Sequence, residues 1–200
     1  MMKNILSPLA CLLLSLLTFS LQAQNRDLDQ DIDTYLGFNR DLDFASLVTY
    51  VHPALFEVTG ATPEMMIEVM ESSMATEDFN MYFSDMSVQP YATIQEGEKS
   101  FALIPYTFTM VMDFRGEDSL SMAQESLSLM QLSFGDDNVI LDESTAALNI
   151  QAEKQMFGFL TPEFDHWMFL EANESARLML GDLMSEDLEN RLKAALAKAE

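Results

Sequence analysis

The fold class follows from residues 91–114, YATIQEGEKSFALIPYTFTMVMDF, because their apolar side chains alternate along the chain. From Ala102 to Phe114 every second residue is apolar, and the residues between them are mixed. A period of two is typical of β-strands, whose successive side chains point to opposite faces of a sheet. The sequence therefore predicts a hairpin that turns at residues 96–99 and has a long second strand. Pro105 has no amide proton, so we expect an edge position or a β-bulge there.

Four further segments have the composition of strands and are bounded by turn residues. They are FNMYFS at 79–84, VILD at 139–142, AALNIQAEKQMFGF at 146–159 and EFDHWMFLE at 163–171. A turn at residues 143–145 separates the second segment from the third. Together with the hairpin, these segments predict a mostly antiparallel sheet.

Three helices are predicted before the sheet, and the first two contain the repeated pentad Asn-Arg-Asp-Leu-Asp or follow it directly. The apolar residues at helical spacing in the first are Leu28, Ile32, Tyr35 and Leu36. Gly37 and Asn39 are suited to end this helix. The apolar stripe of the second consists of Phe44, Leu47, Val48 and Val51. We expect the second helix to stop before Pro53, because a residue that precedes proline is pushed out of the helical region.

A third helix is predicted for TPEMMIEVMESSMA, residues 62–75. Thr62 is suited to the N-cap and Pro63 to the first helical position. Met66, Met70 and Met74 lie four residues apart, so they share one face of this helix.

The stretch DSLSMAQESLSLMQLSF, residues 118–134, is compatible with a helix or with a strand in its second half. The spacing of Leu120, Ala123, Leu127, Met130 and Phe134 favours the helix, capped by Asp118 or Ser119. C-terminal helices are predicted from Ser175 and from Ser185 to about residue 197. The fold class is therefore α+β: N-terminal helices packed on a curved, mostly antiparallel sheet, with an extra mid-chain helix and C-terminal helices.

The N-terminal residues resemble a secretory signal peptide. Lys3 precedes an apolar run, and Ala23 stands at a plausible cleavage site. We expect residues 1–23 to be removed and residues 24–200 to form a single α+β domain, exported to the periplasm or secreted. Cys11 is the only cysteine, so the remaining chain has no disulfide and no thiolate metal site.

The composition is strongly acidic, with a formal net charge of −23. Such a chain repels nucleic acid and anionic lipid, so we expect no nucleic-acid partner and no membrane anchoring after signal cleavage. The acidic residues are dispersed, which favours solubility or salt adaptation over a single cationic partner.

The segment YLGFNRDLDFASLVTYVHPALFE (35–57), the helix after it, the run of strands and HWMFLE (166–171) together resemble secreted bacterial proteins of the nuclear transport factor 2-like superfamily. The similar features are Asp43-Phe44 at a helix start, Tyr50-x-x-Pro53 at a helix end, and a strand that bears Trp167. The resemblance implies a cone, in which helices pack on a curved antiparallel sheet and often leave an apolar pocket. Dimers are common in that superfamily, and it includes isomerases, dehydratases, hydrolases and many non-enzymes, so the fold alone does not supply the function.

Few residues are candidates for acid–base chemistry. His52 precedes a proline at a helix end, and His166 follows Asp165 on a predicted strand, where neighbouring side chains point apart. Asp85 and Asp113 are conceivable carboxylates for an apolar pocket. None of these residues lies in a recognisable catalytic motif, so we assign no catalytic residue, no metal site and no cofactor.

The candidate pocket residues come from the apolar stripes of the predicted helices and strands. They are Met66, Met70, Tyr106, Phe108, Met110 and Trp167. Core positions are the alternative, and the preferred one for Tyr106 and Trp167. The sequence has 16 methionines; thioethers bind Cu(I), but flexible packing of apolar surfaces is the favoured explanation.

A calcium site is the alternative interpretation of the pentad Asn-Arg-Asp-Leu-Asp, which starts at Asn25 and again at Asn39. Asp27, Asp29 and Asp31 have the spacing of an EF-hand loop, but that loop needs glycine at its sixth position, where Ile32 stands. We therefore interpret the repeat as two helix beginnings, with aspartates near the positive helix end.

Two functions are supported as hypotheses. The first is an exported, non-enzymatic binding or accessory domain, whose partner is a small apolar ligand or a second copy of the chain. The second is a small-molecule enzyme of the cone superfamily that uses acid–base chemistry. A chaperone-like or envelope protein with an exposed methionine-rich surface is a third possibility.

Overall fold

A computed structural model describes residues 28–74, 76–173, 176–177, 181 and 183–199. The predicted signal peptide at residues 1–23 lies outside the described residues. So do Asp27 of the calcium hypothesis and Ser175, the predicted start of one C-terminal helix.

The described residues form helices on both sides of a sheet. The helices are α1 (28–41), α2 (Phe44–Leu47), α3 (Ala54–Thr59), α4 (Pro63–Met74), α5 (Ser119–Phe134) and α6 (Glu186–Leu196). Short 3-10 turns cover Val48–Tyr50 and Asp136–Asn138. The strands are β1 (Phe79–Val88), β2 (Ala92–Glu96), β3 (Lys99–Phe114), β4 (Val139–Asp142), β5 (Ala147–Leu160) and β6 (Met168–Glu171). The predicted α+β class is confirmed, including the mid-chain helix and a C-terminal helix.

The sheet is antiparallel, curved and built around β3. β3 pairs with β5 on one side and with β1 and β2 on the other, while β4 and β6 pair with opposite ends of β5. The predicted hairpin is confirmed, because Glu96 pairs with Lys99 across a two-residue turn. Gly97 has a φ of 62° in that turn, a conformation that glycine adopts without steric cost.

One face of the sheet, the α1 face, carries the even-numbered residues of β3. At one end α1 packs its buried residues Leu28 and Ile32 on Ile104 and Ala102. At the other end α5 packs on Met110 and Met112. Because apolar residues alternate along residues 102–114, this face of β3 is apolar over its whole length, and two separate helices pack on it.

The opposite face, the α6 face, carries Phe101 and Leu103 of β3 at the end that is covered. Leu188, Leu192 and Leu196 of α6 pack there, as their fourfold spacing predicts. The side chain of Ser185 caps α6 by accepting a hydrogen bond from the Leu188 amide. The C-terminal helix thus covers the face that the N-terminal helix leaves open.

Pro105 lies in the central strand and not at an edge or in a bulge of β3, which corrects the prediction. Its carbonyl accepts a hydrogen bond from the Gln89 amide at 2.9 Å, so its nitrogen faces the same side of the strand. On that side β1 ends at Val88 and β2 begins at Ala92. The proline is tolerated because its missing amide proton faces the break between two strands.

The N-terminal helices differ from the prediction in their boundaries. α1 continues past Gly37 and Asn39 and ends at Asp41, and the next residue, Leu42, has a left-handed φ of 55°. The Asp43 amide then donates to the Phe38 carbonyl, which satisfies the helix end. The second pentad therefore spans the end of α1 and the start of α2, where the Asp43 carboxylate accepts from the Ser46 amide.

The second predicted helix is shorter than expected. α2 has four residues, a 3-10 turn comes next, and Val51 is extended. Pro53 precedes α3, a helix that the prediction missed. Proline disfavours a helical conformation in the residue before it, but it is well suited to the start of a helix. Here Pro53 stands at the N-cap of α3.

The strand predicted at 163–171 is confined to Met168–Glu171. Residues 165–166 form a bend, and Trp167 precedes the strand without belonging to it. No helix within the described ranges is long and apolar enough to cross a membrane.

Candidate functional site

A groove opens on the α1 face between the areas that α1 and α5 cover. Its volume is about 260 Å³. We call it the tyrosine groove; its lining residues are Tyr35, Asn39, Phe83, Met86, Tyr106, Phe108, Phe134, Lys154, Met156 and Glu171. α1 covers the sheet as far as Ile104, and α5 covers it from Met110 onward. The groove therefore lies over Tyr106 and Phe108, between the end of α1 that carries Tyr35 and the end of α5 at Phe134.

A β-bulge in β1 supplies one wall of the groove. The register shifts between Phe83 and Asp85, so that Phe83 pairs with Met110 and Met86 pairs with Phe108. Without the bulge, residues 83 and 86 would point to opposite faces. With it, both apolar side chains reach the α1 face. The Phe83 and Phe108 rings meet edge to face, with centroids 5.4 Å apart.

The groove has a polar end formed by a cation and an anion. Lys154 Nζ lies 3.3 Å from Glu171 Oε1, and both side chains are partly exposed. The same ammonium lies 5.9 Å from the centroid of the Phe134 ring, a cation–π distance. Lys154 also borders two larger open depressions of about 720 and 680 Å³, which are lined mainly by polar residues. It is therefore the charged group at which the three spaces meet.

Two tyrosines add neutral hydrogen-bond donors. Loss of hydration raises the pKa of Tyr35 to about 12, and the nearby Glu171 charge adds to this while a hydrogen bond with Asn39 opposes it. Loss of hydration also raises the pKa of Tyr106, with Tyr35 and Glu171 adding to the shift. Both hydroxyls consequently keep their protons at neutral pH and can donate to a bound acceptor.

The structure places the predicted pocket residues in four locations. Tyr106 and Phe108 line the tyrosine groove. Met110 is buried under α5, and Trp167 is buried under α1. Met66 and Met70 lie on α4 and are half-buried. Of the six residues, the fold thus brings only two together in this groove.

Trp167 carries a polar atom that the core does not satisfy. Its indole Nε1 is buried and has no hydrogen-bond partner among the described residues. The ring packs tightly against Gly158, where a Cβ would lie 3.2 Å from Trp167 Cε3. The indole therefore fills the core beneath α1 and does not line the groove.

His166 and Asp165 are brought into contact, which corrects the expectation that they point apart. His166 Nδ1 lies 2.6 Å from Asp165 Oδ1, because the two residues occupy a bend and not a strand. The other ring nitrogen, Nε2, lies 3.2 Å from the Thr49 carbonyl. Both nitrogens are thus engaged, and the histidine links the bend before β6 to the turn after α2.

His52 is buried between two aromatic rings. Its ring centroid lies 4.8 Å from that of Phe159 and 5.4 Å from that of Phe164. Nδ1 accepts a hydrogen bond from the Ala54 amide at 3.2 Å. Burial lowers the pKa of His52, although the charges of Glu57 and Glu163 oppose the shift. The imidazole is therefore neutral and holds the start of α3.

The candidate carboxylates stand apart from the groove. Asp85 is exposed and borders the 720 Å³ depression, while Asp113 lies near the end of β3, opposite Asn80 and Ala147. Asp29 accepts a hydrogen bond from the Tyr91 hydroxyl, and Asp31 accepts one from the Trp167 amide. Within the part of the chain that is described, no three His, Cys, Asp or Glu side chains gather in a way that could hold a metal ion.

The sequence reasoning missed Lys154, Glu171 and Tyr35 as groove residues. One signal for Lys154 was present: it stands between Ala152 and Met156 on a strand face that is otherwise apolar. Glu171 gave no such signal, because it meets Lys154 only through the pairing of β6 with β5. A scan against protein-family models finds no family that matches the chain, and a search of curated proteins finds no similar one.

Proposed function

We propose that this protein is a non-enzymatic binding domain that holds a small, largely apolar ligand in the tyrosine groove. The observation that carries the proposal is the combination of aromatic walls with donors at one end. Phe83, Met86 and Phe108 form an apolar surface, and Tyr106 and Lys154 stand beside it. Ligand pockets are typically mostly apolar, with a few placed polar groups that orient the ligand.

The chemistry of the donors indicates the class of ligand. A neutral tyrosine hydroxyl and an ammonium both favour a hydrogen-bond acceptor, above all a carboxylate or another anionic group. Glu171 partly neutralises Lys154 in the free protein, so a bound acceptor has to compete with that ion pair. A short apolar molecule with one acidic end fits the groove best.

The alternative of an acid–base enzyme has less support from the geometry. A catalytic base needs a free lone pair within reach of its substrate. Each histidine is outside the groove and engaged by neighbours. The raised pKa values of Tyr35 and Tyr106 suit them to donate hydrogen bonds and not to accept protons. These features favour binding over turnover.

Ligand binding is tested with 1-anilinonaphthalene-8-sulfonate as the fluorescent probe, displaced by octanoate or by 1-octanol. We expect saturable binding, with octanoate displacing the probe more effectively than 1-octanol. Tyr106→Phe and Lys154→Met should each weaken octanoate binding by about threefold to tenfold, since each removes one donor. Their effect on 1-octanol, which has no negative charge, should be smaller.

Matched controls exist on exposed parts of the chain. Tyr82→Phe removes a hydroxyl from β1 outside the groove, and Lys198→Met removes an ammonium after α6. Both variants should bind octanoate like the parent. Equal affinities for all four variants, or no saturable probe binding by the parent, would refute the groove as a ligand site. Release of a chemically altered octanoate would favour the enzyme instead.

We also propose that the chain is an exported member of the nuclear transport factor 2-like superfamily, with residues 24–200 as its mature domain, and that it forms a homodimer. The curved antiparallel sheet with helices packed on it supports the superfamily, and the apolar N-terminal run supports export. Expression of the full sequence in a bacterium tests export: the periplasmic or secreted product should begin at Gln24. Light scattering of that product tests the dimer. A cytoplasmic product that retains Met1, or a monomer at all concentrations, would contradict the respective proposal.

A further inference from the structure

The helix α4 is attached to the fold without contributing to its core. None of its 12 residues is fully buried. Met66, Met70 and Met74 are half-buried, and none of them belongs to the three buried clusters of the core. α4 lies beside α2, the following 3-10 turn and β1. It is therefore a surface helix with most of its circumference available.

The available side of α4 is apolar over part of its width. Met65 and Val69 are 53% and 63% exposed, and they follow each other at a spacing of four residues. In an α-helix successive residues are about 100° apart, so Met66 and Met70 lie next to this pair around the axis. The exposed stripe thus continues without interruption into the half-buried methionines. An exposed apolar patch points to an interaction site chiefly where polar or charged residues border it.

Glutamates border the other edge of the stripe. Glu64, Glu68 and Glu71 are exposed and lie on the side of Met65 and Val69 that is away from the half-buried face. Among the described residues, none of the three takes part in an ion pair. The sequence offers them no nearby cation, because it has no lysine or arginine between Arg40 and Lys99. Their charges are left to a partner or to solvent.

We propose that the α4 surface, formed by Met65, Met66, Val69 and Met70 with the bordering glutamates, docks a basic amphipathic segment of a partner protein. Methionine side chains are flexible and polarizable, so they adapt to different apolar partners. The glutamates pair with lysines or arginines on the flank of the partner segment, which accelerates association and orients it. None of these residues lines the tyrosine groove, so this surface is independent of the proposed ligand site.

Charge decides between this partner and two other occupants. A second copy docked through the same surface would place the acidic border of one α4 against that of the other. An anionic lipid surface would meet the same glutamates and be repelled. A basic amphipathic segment gains binding free energy from both parts of the surface, because its apolar side contacts the stripe and its cations pair with the glutamates.

The test uses a fluorescein-labelled peptide of leucine and lysine with helical amphipathic spacing, and fluorescence anisotropy with the full chain. A second peptide of identical composition but scrambled order is the control for net charge. We expect the amphipathic peptide to bind at least about tenfold more tightly than the scrambled one. We also expect its affinity to fall as salt is added, because the ion pairs are screened.

Three variants locate the binding site. The double variant Met65→Ser/Val69→Ser should lower the affinity for the amphipathic peptide about tenfold. Glu68→Gln should lower that affinity about threefold and make it depend less on salt concentration. Leu132→Ser removes a leucine of α5 that is 85% exposed, and it should change the affinity less than twofold. Circular dichroism should show that all three variants are folded, since the replaced side chains are exposed.

Several results would overturn the proposal. One is equal affinity for the amphipathic and scrambled peptides; another is an effect of Leu132→Ser as large as that of the α4 double variant. Self-association of the parent that the α4 double variant abolishes would assign the surface to a second copy. Binding to phosphatidylcholine vesicles that the same variant abolishes would assign it to a membrane.

Discussion

Asp31 Oδ2 accepts a hydrogen bond from the main-chain amide of Trp167 at 2.9 Å, between residues that are 136 positions apart in the chain. The contact joins α1 to the segment that leads into β6. The neighbouring Asp29 accepts from the Tyr91 hydroxyl and so joins α1 to the start of β2. Asp29 and Asp31, two of the aspartates that resemble a calcium motif in the sequence, therefore hold α1 on the sheet.

Removal of the Asp31 carboxylate should destabilise the fold. Asp31→Ala leaves the Trp167 amide without this partner, so we expect the free energy of unfolding to fall by about 1–3 kcal/mol. Asp31→Asn keeps an acceptor oxygen, so its free energy of unfolding should fall by less than that of Asp31→Ala. Urea unfolding, followed by the emission of the single tryptophan, measures the change. Asp33→Ala, on the exposed side of α1, is the control; a loss as large as that of Asp31→Ala would contradict the assignment.

Glycine substitutions should have opposite effects at two positions. At Gly158 a Cβ would lie 3.2 Å from Ala102 Cβ and from Trp167 Cε3, so Gly158→Ala should cost about 1–3 kcal/mol through overpacking. At Gly37, inside α1, the nearest atom to a Cβ is Arg40 Nη2 at 3.9 Å. Gly37→Ala should therefore stabilise the protein by about 0.5–1 kcal/mol. Thermal unfolding by circular dichroism measures both, and an unchanged melting temperature for Gly158→Ala would show that the core accommodates the methyl group.

Mild acid should weaken the fold through His52. Burial lowers its pKa in the folded state, whereas the unfolded value is about 6.5. The unfolded chain therefore binds a proton more readily, so the contribution of His52 is fully present above pH about 6.5 and is lost as the pH falls from there. His52→Asn keeps an acceptor near the position of Nδ1 and removes the titration. Between pH about 7.5 and about 5.5, above the range where most carboxylates titrate, the parent should lose more stability than the variant. Parallel pH profiles would show that His52 does not titrate in this range.

The C-terminal helix should be required for stability. Leu192 of α6 is fully buried against the α6 face of the sheet. Leu192→Ala should therefore lower the free energy of unfolding by about 2–5 kcal/mol. Leu132→Ala, at an exposed position of α5, should change the stability by less than about 0.5 kcal/mol. Chemical unfolding of the two variants measures the difference. Equal stabilities would mean that α6 is not packed on the sheet as the structure has it.

The fold could be predicted from the sequence where one local period dominates. The alternation of residues 102–114 predicted β3, and the fourfold leucine spacing predicted α6, because each pattern reflects the geometry of its own element. Thr62 and Ser185 likewise marked helix starts through their own side chains. The ends of the helices could not be predicted in the same way, because a residue such as Pro53 is suited both to follow one helix and to begin the next.

The candidate site could be predicted only in part. Tyr106 and Phe108 were on the right face, but the groove exists because α1 and α5 stop short of one another over them. The bulge after Phe83 and the Lys154–Glu171 pair depend on strand register, which no local pattern specifies. Met66 and Met70 have the spacing of core residues, yet α4 lies outside the core.

The sequence by itself determined most of the helices and strands and which of their sides are apolar, because these properties repeat at the period of the backbone. It also determined the acidic surface. Only the tertiary structure decided what covers each apolar side and which polar groups meet. Asp31 reaches the Trp167 amide, Asp165 contacts His166 in a bend, and Pro105 faces the break between β1 and β2. Such contacts depend on how distant segments are oriented in space, and the free energy of packing the whole chain sets that orientation.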